Sequence, residues 1–184
     1  MFRLFYPCEY AESVFNIDYS KLYAKGYRAL IFDIDNTLVH HGEDSTKEIE
    51  DLFRTVHKAG LKTLLLSNNN EDRIKRFIRN ISTPYICDAN KPSKAGYLKA
   101  LKMLNVKKEE SVFIGDQIFT DILGANRVGI ESILVKYMRY NNEDKIGIRR
   151  NIEKVILKFY RQSKRYRNRI GDINKEENTE NAVE

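Results

Sequence analysis

Leu30-Ile31-Phe32-Asp33-Ile34-Asp35-Asn36-Thr37-Leu38 carries the strongest signal in this chain. An apolar run ends in two carboxylates two residues apart. Residues i and i+2 of a strand point the same way, so Asp33 and Asp35 converge at the carboxyl end of a buried strand. Open α/β sheets place their ligand sites at that edge. Like charges this close repel, and stability alone rarely calls for them. A divalent cation, or a split between nucleophile and acid, accounts for the pair.

Outward from this strand the pattern alternates. Residues 28–35 and 61–66 read as buried strands. The helix between them is announced by the capping-box spacing of Ser45-Thr46-Lys47-Glu48 and stopped by Gly60. Residues 71–80 read as a helix, 85–87 as a short strand, and Pro92 as the opener of a helix to Leu104. Residues 111–115, 118–126 and 131–135 read as strand, helix and strand. The alternation predicts an α/β fold, one Rossmann-like domain with a parallel sheet flanked by helices.

The 184 residues fit one domain with a tail. The net charge of +6 is uneven: residues 149–170 hold nine Lys/Arg against Glu153 alone, and 171–184 hold five acids against one lysine. Apolar side chains at 148, 152, 155, 156 and 159 repeat at helical spacing, with a basic opposite face. Such a helix either lies on an anionic membrane surface or packs its apolar face on the domain. Its basic face also suits nucleic-acid phosphates. The expected organisation is an aromatic-rich N-terminal extension (1–25), a catalytic core (26–140), a basic amphipathic helix (141–170) and an acidic, disordered tail (171–184). No run approaches the roughly 20 apolar residues of a membrane span. The N-terminus lacks a signal-peptide pattern, and Cys8 and Cys87 read as free thiols, so the expected place is the cytoplasm. His40, His41 and His57 read as surface residues.

Four polar clusters follow predicted strands: Asp33-Ile34-Asp35-Asn36-Thr37, Ser67-Asn68-Asn69-Asn70, Lys91-Pro92, and Gly115-Asp116 through Asp121. A parallel sheet brings them to one edge. An aspartate can attack phosphorus, and a second carboxylic acid can protonate the leaving oxygen and then activate water. Phosphate beside carboxylates calls for a cation, and hard oxygen ligands suit Mg²⁺. Lys91 adds positive charge, and Ser67 with the following N–H groups can bind phosphate at a helix start.

This order, DxDxT, Ser, Lys, GDxxxxD, resembles the haloacid dehalogenase (HAD) superfamily of phosphohydrolases over about residues 26–137. The resemblance implies Asp33 as nucleophile and Asp35 as general acid/base. Thr37 would orient the loop, and Thr37, Ser67, Asn68 and Lys91 would bind the phosphate. Mg²⁺ would be held by Asp33, Asp116 and the Asp35 backbone carbonyl. Asp121 would orient Lys91 or a water on the metal. From Asp33 to Ser67 is 34 residues and from Ser67 to Lys91 is 24, too short for a folded cap, which resembles the capless subclass III.

The stretches FDIDNTLV (32–39), LLLSNN (64–69), Ala89-Asn90-Lys91-Pro92 and IGDQIFTDILGANRVGIESILV (114–135) are similar to the YqeG group of subclass IIIA. So is Tyr6-Pro7-x-x-Tyr10-x-x-Ser13-Val14-Phe15-x-Ile17-Asp18. That resemblance implies removal of the terminal phosphate from phosphatidylglycerophosphate in phospholipid synthesis, peripherally at the inner face of the membrane. A Thr-Arg-x-Asn-Arg-like stretch is expected near 146–151, where this chain has IGIRRN, a departure that weakens any substrate role for Arg149 or Arg150. Other phosphate esters (phosphoproteins, nucleic-acid ends, small molecules) remain open as substrates. A non-catalytic RNA or ribosome binder is the alternative of another class.

Overall fold

The computed structural model describes residues 2–138 and 147–175. Six parallel strands form one sheet in the order β1-β6-β5-β2-β3-β4. They are β1 Glu9–Ala11, β2 Ala29–Phe32, β3 Lys62–Leu66, β4 Tyr85–Ile86, β5 Ser111–Gly115 and β6 Glu131–Val135. The chain winds from β2 outward to β4, then crosses to the other side of β2 for β5. The reversal places the switch point, and hence the crevice, at the end of β2.

Alternation along the strands builds two apolar layers. Leu30 and Phe32 face α1 (Tyr19–Ala24), α2 (Lys47–Lys58) and α3 (Glu71–Phe77). Ala29 and Ile31 face α4 (Lys94–Leu104) and α5 (Leu123–Val128). All four β2 residues are buried, as continuous apolar runs demand of a parallel sheet. Registers Phe32↔Ile114 and Phe32↔Leu65 align the three strand ends that matter. Between Asp33 and Ser67 lie only a loop, α2 and β3, and between Ser67 and Lys91 only α3 and β4.

Several boundaries differ from expectation. The α2 cap is Thr46, whose hydroxyl accepts from the Ile49 N–H at 3.4 Å, one residue past Ser45. Pro92 precedes the α4 cap Ser93 rather than opening the helix. Residues 118–122 form a π-helical turn before α5. The aromatic N-terminal stretch supplies the edge strand β1, paired Glu9↔Ile133 on β6. Residues 171–175 are packed rather than loose: Ile173 is buried, and its carbonyl accepts from the Asp18 N–H at 2.7 Å. The rest of the acidic tail, from 176, and residues 141–146 of the basic segment lie outside the described residues.

Of the two orientations left open for the C-terminal helix α6 (Ile148–Gln162), the structure leaves most of the apolar stripe outward. Its inward arc carries Arg150, Glu153 and Tyr160, with Ile156 and Leu157 half-buried. The stripe Ile148, Ile152, Val155 and Phe159 faces outward, between 46% and 80% exposed. Among the described residues no helix is long and apolar enough to cross a membrane.

Candidate active site

Asp33 follows β2 directly, and its N–H still donates to Ile114 O at 3.0 Å. Lys91, beyond β4, extends its ammonium to Asp33 Oδ1 at 2.6 Å and Asp121 Oδ1 at 2.8 Å. All three side chains are buried. Burial pushes the Asp33 carboxyl up to about 6; the Lys91 ammonium opposes this and the Asp121 carboxylate adds to it. Burial would lower the Lys91 pKa, but the carboxylates of Asp121 and Asp33 outweigh it and raise it.

Asp116 follows β5. Its Oδ1 accepts from the Thr37 hydroxyl at 3.2 Å, and Arg150 of α6 grips its other oxygen. Burial pushes this carboxyl up to about 8 against the pull of Arg150. Gly115 is required here: a Cβ on it would lie 2.5 Å from Asp121 Oδ2. The glycine clears the space through which Asp121 reaches Lys91. Asp121 Oδ2 also accepts from the Gln117 N–H at 3.0 Å, so Lys91 and the start of the π-helical turn each hold one oxygen of this carboxylate.

Asp35 leaves the strand and faces a different set of partners. Asn36 at φ +62° turns the chain, a left-handed position that asparagine tolerates. Asp35 Oδ1 accepts from the Gly42 N–H at 3.0 Å and from Arg73 at 2.9 Å, and Oδ2 accepts from the Asn69 amide. Burial alone would raise this carboxyl, but these donors outweigh it and hold it below its ordinary value. These contacts favour the ionised form of Asp35.

The three asparagines do three jobs. Asn68 Oδ1 accepts from the Lys91 N–H at 2.7 Å and its amide donates to Lys91 O, so it fixes that backbone. Asn69 holds Asp35, and Asn70 caps α3 by accepting from the Arg73 N–H at 3.0 Å. Ser67 is therefore not the helix cap; its hydroxyl accepts from the Asn69 N–H at 3.2 Å at the floor of the crevice. A cavity of about 140 Å³ brings Asp33, Asp35, Ser67, Asn68 and Lys91 together, with His41 at its mouth. Sequence reasoning missed Arg73, Asn69 as a partner of Asp35, and Arg150. Arg73 and Asn69 meet Asp35 across 38 and 34 residues, with no local signal.

Carboxylate oxygens of Asp33, Asp116 and Asp121 lie within 4.8 Å of one another. Three buried hard donors, two of them pushed up by burial and by neighbouring carboxylates, fit a hard divalent cation. Asp33 meets Lys91 through Oδ1 and Asp116 is held by Thr37 and Arg150, while Asp121 commits one oxygen to Lys91 and the other to Gln117.

The HAD-hydrolase-like family model matches residues 88–156. The Bacillus subtilis (strain 168) protein described as "Probable phosphatase YqeG" is 35% identical over 156 residues, spanning 84% of this chain and 91% of that protein. Glyceraldehyde 3-phosphate phosphatase of Pyrococcus furiosus is 43% identical over 54 residues, 29% of this chain and 22% of that enzyme. A solved structure of an uncharacterized protein from Listeria monocytogenes serotype 4b has a TM-score of 0.52 at 20% identity, over 74% of this chain and 99% of that one, a likeness of fold. This chain, with a buried lysine and aspartate cluster at the carboxyl edge of its parallel sheet, is thus a HAD-type phosphatase. Within that superfamily the chain belongs to the YqeG group. HAD phosphatases are metal-dependent, in keeping with the aspartate cluster.

Proposed function

We propose that the chain is a Mg²⁺-dependent phosphomonoester hydrolase working through an aspartyl phosphate on Asp33, with phosphatidylglycerophosphate as substrate. The carrying observation is the buried contact of Asp33 with Lys91, beside Asp116 and Asp121. An Asp33 oxygen attacks phosphorus as the bond to the alcohol oxygen breaks, and Asp35 gives that oxygen a proton. Asp35 then takes a proton from water, whose oxygen attacks phosphorus and breaks the Asp33–phosphate bond, freeing inorganic phosphate. Its ionised form suits this second half; the first half requires it to gain a proton.

Ser67 and Lys91 hold phosphate oxygens, Thr37 orients Asp116, and Asn68 acts through the Lys91 backbone. Asp33, Asp116 and the Asp35 carbonyl would hold Mg²⁺, which when bound neutralises the phosphoryl charge. Asp121 keeps Lys91 in place.

The lipid reading is supported by α6. An outward apolar stripe beside Lys154, Lys158 and Arg161 is the pattern of a helix that lies on an anionic surface. The segments between the site residues hold no cap module, which fits subclass IIIA and leaves the site open to a bulky headgroup at the inner face of the membrane. The test is phosphate release from phosphatidylglycerophosphate in mixed micelles. Much faster turnover of a nucleotide or phosphopeptide would sink the lipid assignment. Val155→Ser with Phe159→Ser should lower turnover on anionic vesicles and spare a soluble aryl phosphate. Unchanged vesicle activity would remove the membrane role of the stripe.

A further inference from the structure

We infer that Arg150 and Glu153 of α6 are positioning residues of the active site, which together orient Asp116 and the turn after it for metal binding. This rests on Asp116 being a metal ligand. Arg150 Nη1 donates to the Asp116 backbone carbonyl at 2.8 Å while Nη2 binds Asp116 Oδ2. The same Nη1 donates to Glu153 Oε2 at 2.9 Å. Glu153 Oε1 accepts from the Ile118 N–H at 2.8 Å and, more weakly, the Phe119 N–H at 3.4 Å. The Tyr137 ring lies 4.3 Å from the guanidinium and fixes its plane. Residues 116–119 are thus held at three points by a helix some 34 residues downstream.

Anchoring a helix does not require this arrangement. Ion pairs buried to this degree carry a desolvation cost that apolar packing avoids, and α6 already contributes Ile156 and Leu157 to an apolar cluster. What the planar fork adds is direction, because it binds the main chain and side chain of one aspartate at once. With Thr37 on Oδ1 and Arg150 on Oδ2, the carboxylate plane of Asp116 is set from both edges. Partners of this kind behind a ligand typically matter 10–100-fold for metal affinity. The catalytic core then extends into α6, so deleting that helix would remove part of the site along with the outward stripe.

The experiment is isothermal titration calorimetry of Mg²⁺ into the full chain, for wild type, Arg150→Met, Arg150→Lys, Glu153→Gln and Asp116→Asn, with melting temperatures in chelator. Arg150→Met should weaken Mg²⁺ binding by about 10–100-fold. Arg150→Lys, which keeps the charge and loses the fork, and Glu153→Gln should fall between it and wild type. A lower melting temperature with wild-type Mg²⁺ affinity would reduce the pair to structural anchors and overturn the inference. Should Arg150→Met fail to fold, Arg150→Lys decides alone, and wild-type affinity there overturns it equally. Asp116→Asn separates the two levels: Mg²⁺ binding that survives this change refutes Asp116 as a ligand, whereas its loss with Arg150 variants unaffected refutes only the positioning role.

Discussion

Replacing Lys91 by Met should destabilise the fold strongly, and in a pH-dependent way. The ammonium makes two short charged contacts, 2.6 Å to Asp33 and 2.8 Å to Asp121, with all three side chains no more than 8% exposed. Methionine fills similar volume, so the main loss is electrostatic. Taking one partner out of a buried ion pair costs about 3–5 kcal/mol, because the remaining charge has no compensation. That is a large share of a typical total of about 5–15 kcal/mol. For a chain of this length it lowers the melting temperature by roughly 6–20 °C. The pH dependence fixes the cause. Burial already pushes the Asp33 carboxyl up to about 6, and without the ammonium it rises further. The folded variant then binds a proton that the unfolded chain does not, so its stability improves as pH falls from neutral toward 5. The assay is urea denaturation of both proteins in chelator at pH 7.5 and pH 5. A difference below about 1 kcal/mol at pH 7.5, or one as large at pH 5, would refute the reasoning.

Gly115→Ala should displace Asp121, since the new Cβ would lie 2.5 Å from its Oδ2; a loss of about 1–3 kcal/mol by urea denaturation and weaker turnover are expected, and normal values for both would contradict the close approach. Arg73→Met should raise the Asp35 carboxyl pKa, which Gly42, Asn69 and Arg73 now hold down. A depressed carboxyl stabilises the fold only while ionised, so the variant's stability deficit is fully present at neutral pH and fades toward acid. The acid limb of its kcat–pH profile should also move upward, and an unmoved limb would deny Asp35 the base role.

Most of the sheet was legible because each inner strand contains an unbroken apolar run, as in Leu30–Phe32 and Val112–Ile114. Three of the four polar clusters were placed for the same reason, since they end those runs, while Lys91-Pro92 follows the short edge strand β4; parallel pairing brings the ends together. Edge strand β1 carried no such signal, since Glu9-Tyr10-Ala11 is three residues whose strand character comes from pairing with β6. Periodicity alone left the orientation of α6 open. Hydrophobic spacing marks Ile148, Ile152, Val155, Ile156 and Phe159, yet of these only Ile156 docks, and the docked arc is also held by Arg150 and Glu153 through hydrogen bonds to Asp116 and Ile118. Periodicity finds apolar faces, not faces that dock by charge. The environment of Asp35 was equally hidden, because its partners are set by the loop between Asn36 and Asp44 folding against α3.

The question on which the mechanism turns is whether a phosphoryl group passes through Asp33. The direct measurement is acid quench of the enzyme during turnover of a radiolabelled phosphate ester with Mg²⁺, followed by peptide mapping. A hydroxylamine-labile label on the peptide carrying Asp33, absent from Asp33→Asn along with turnover, is the predicted result. Undiminished turnover by Asp33→Asn with no covalent label on the wild-type enzyme would contradict it.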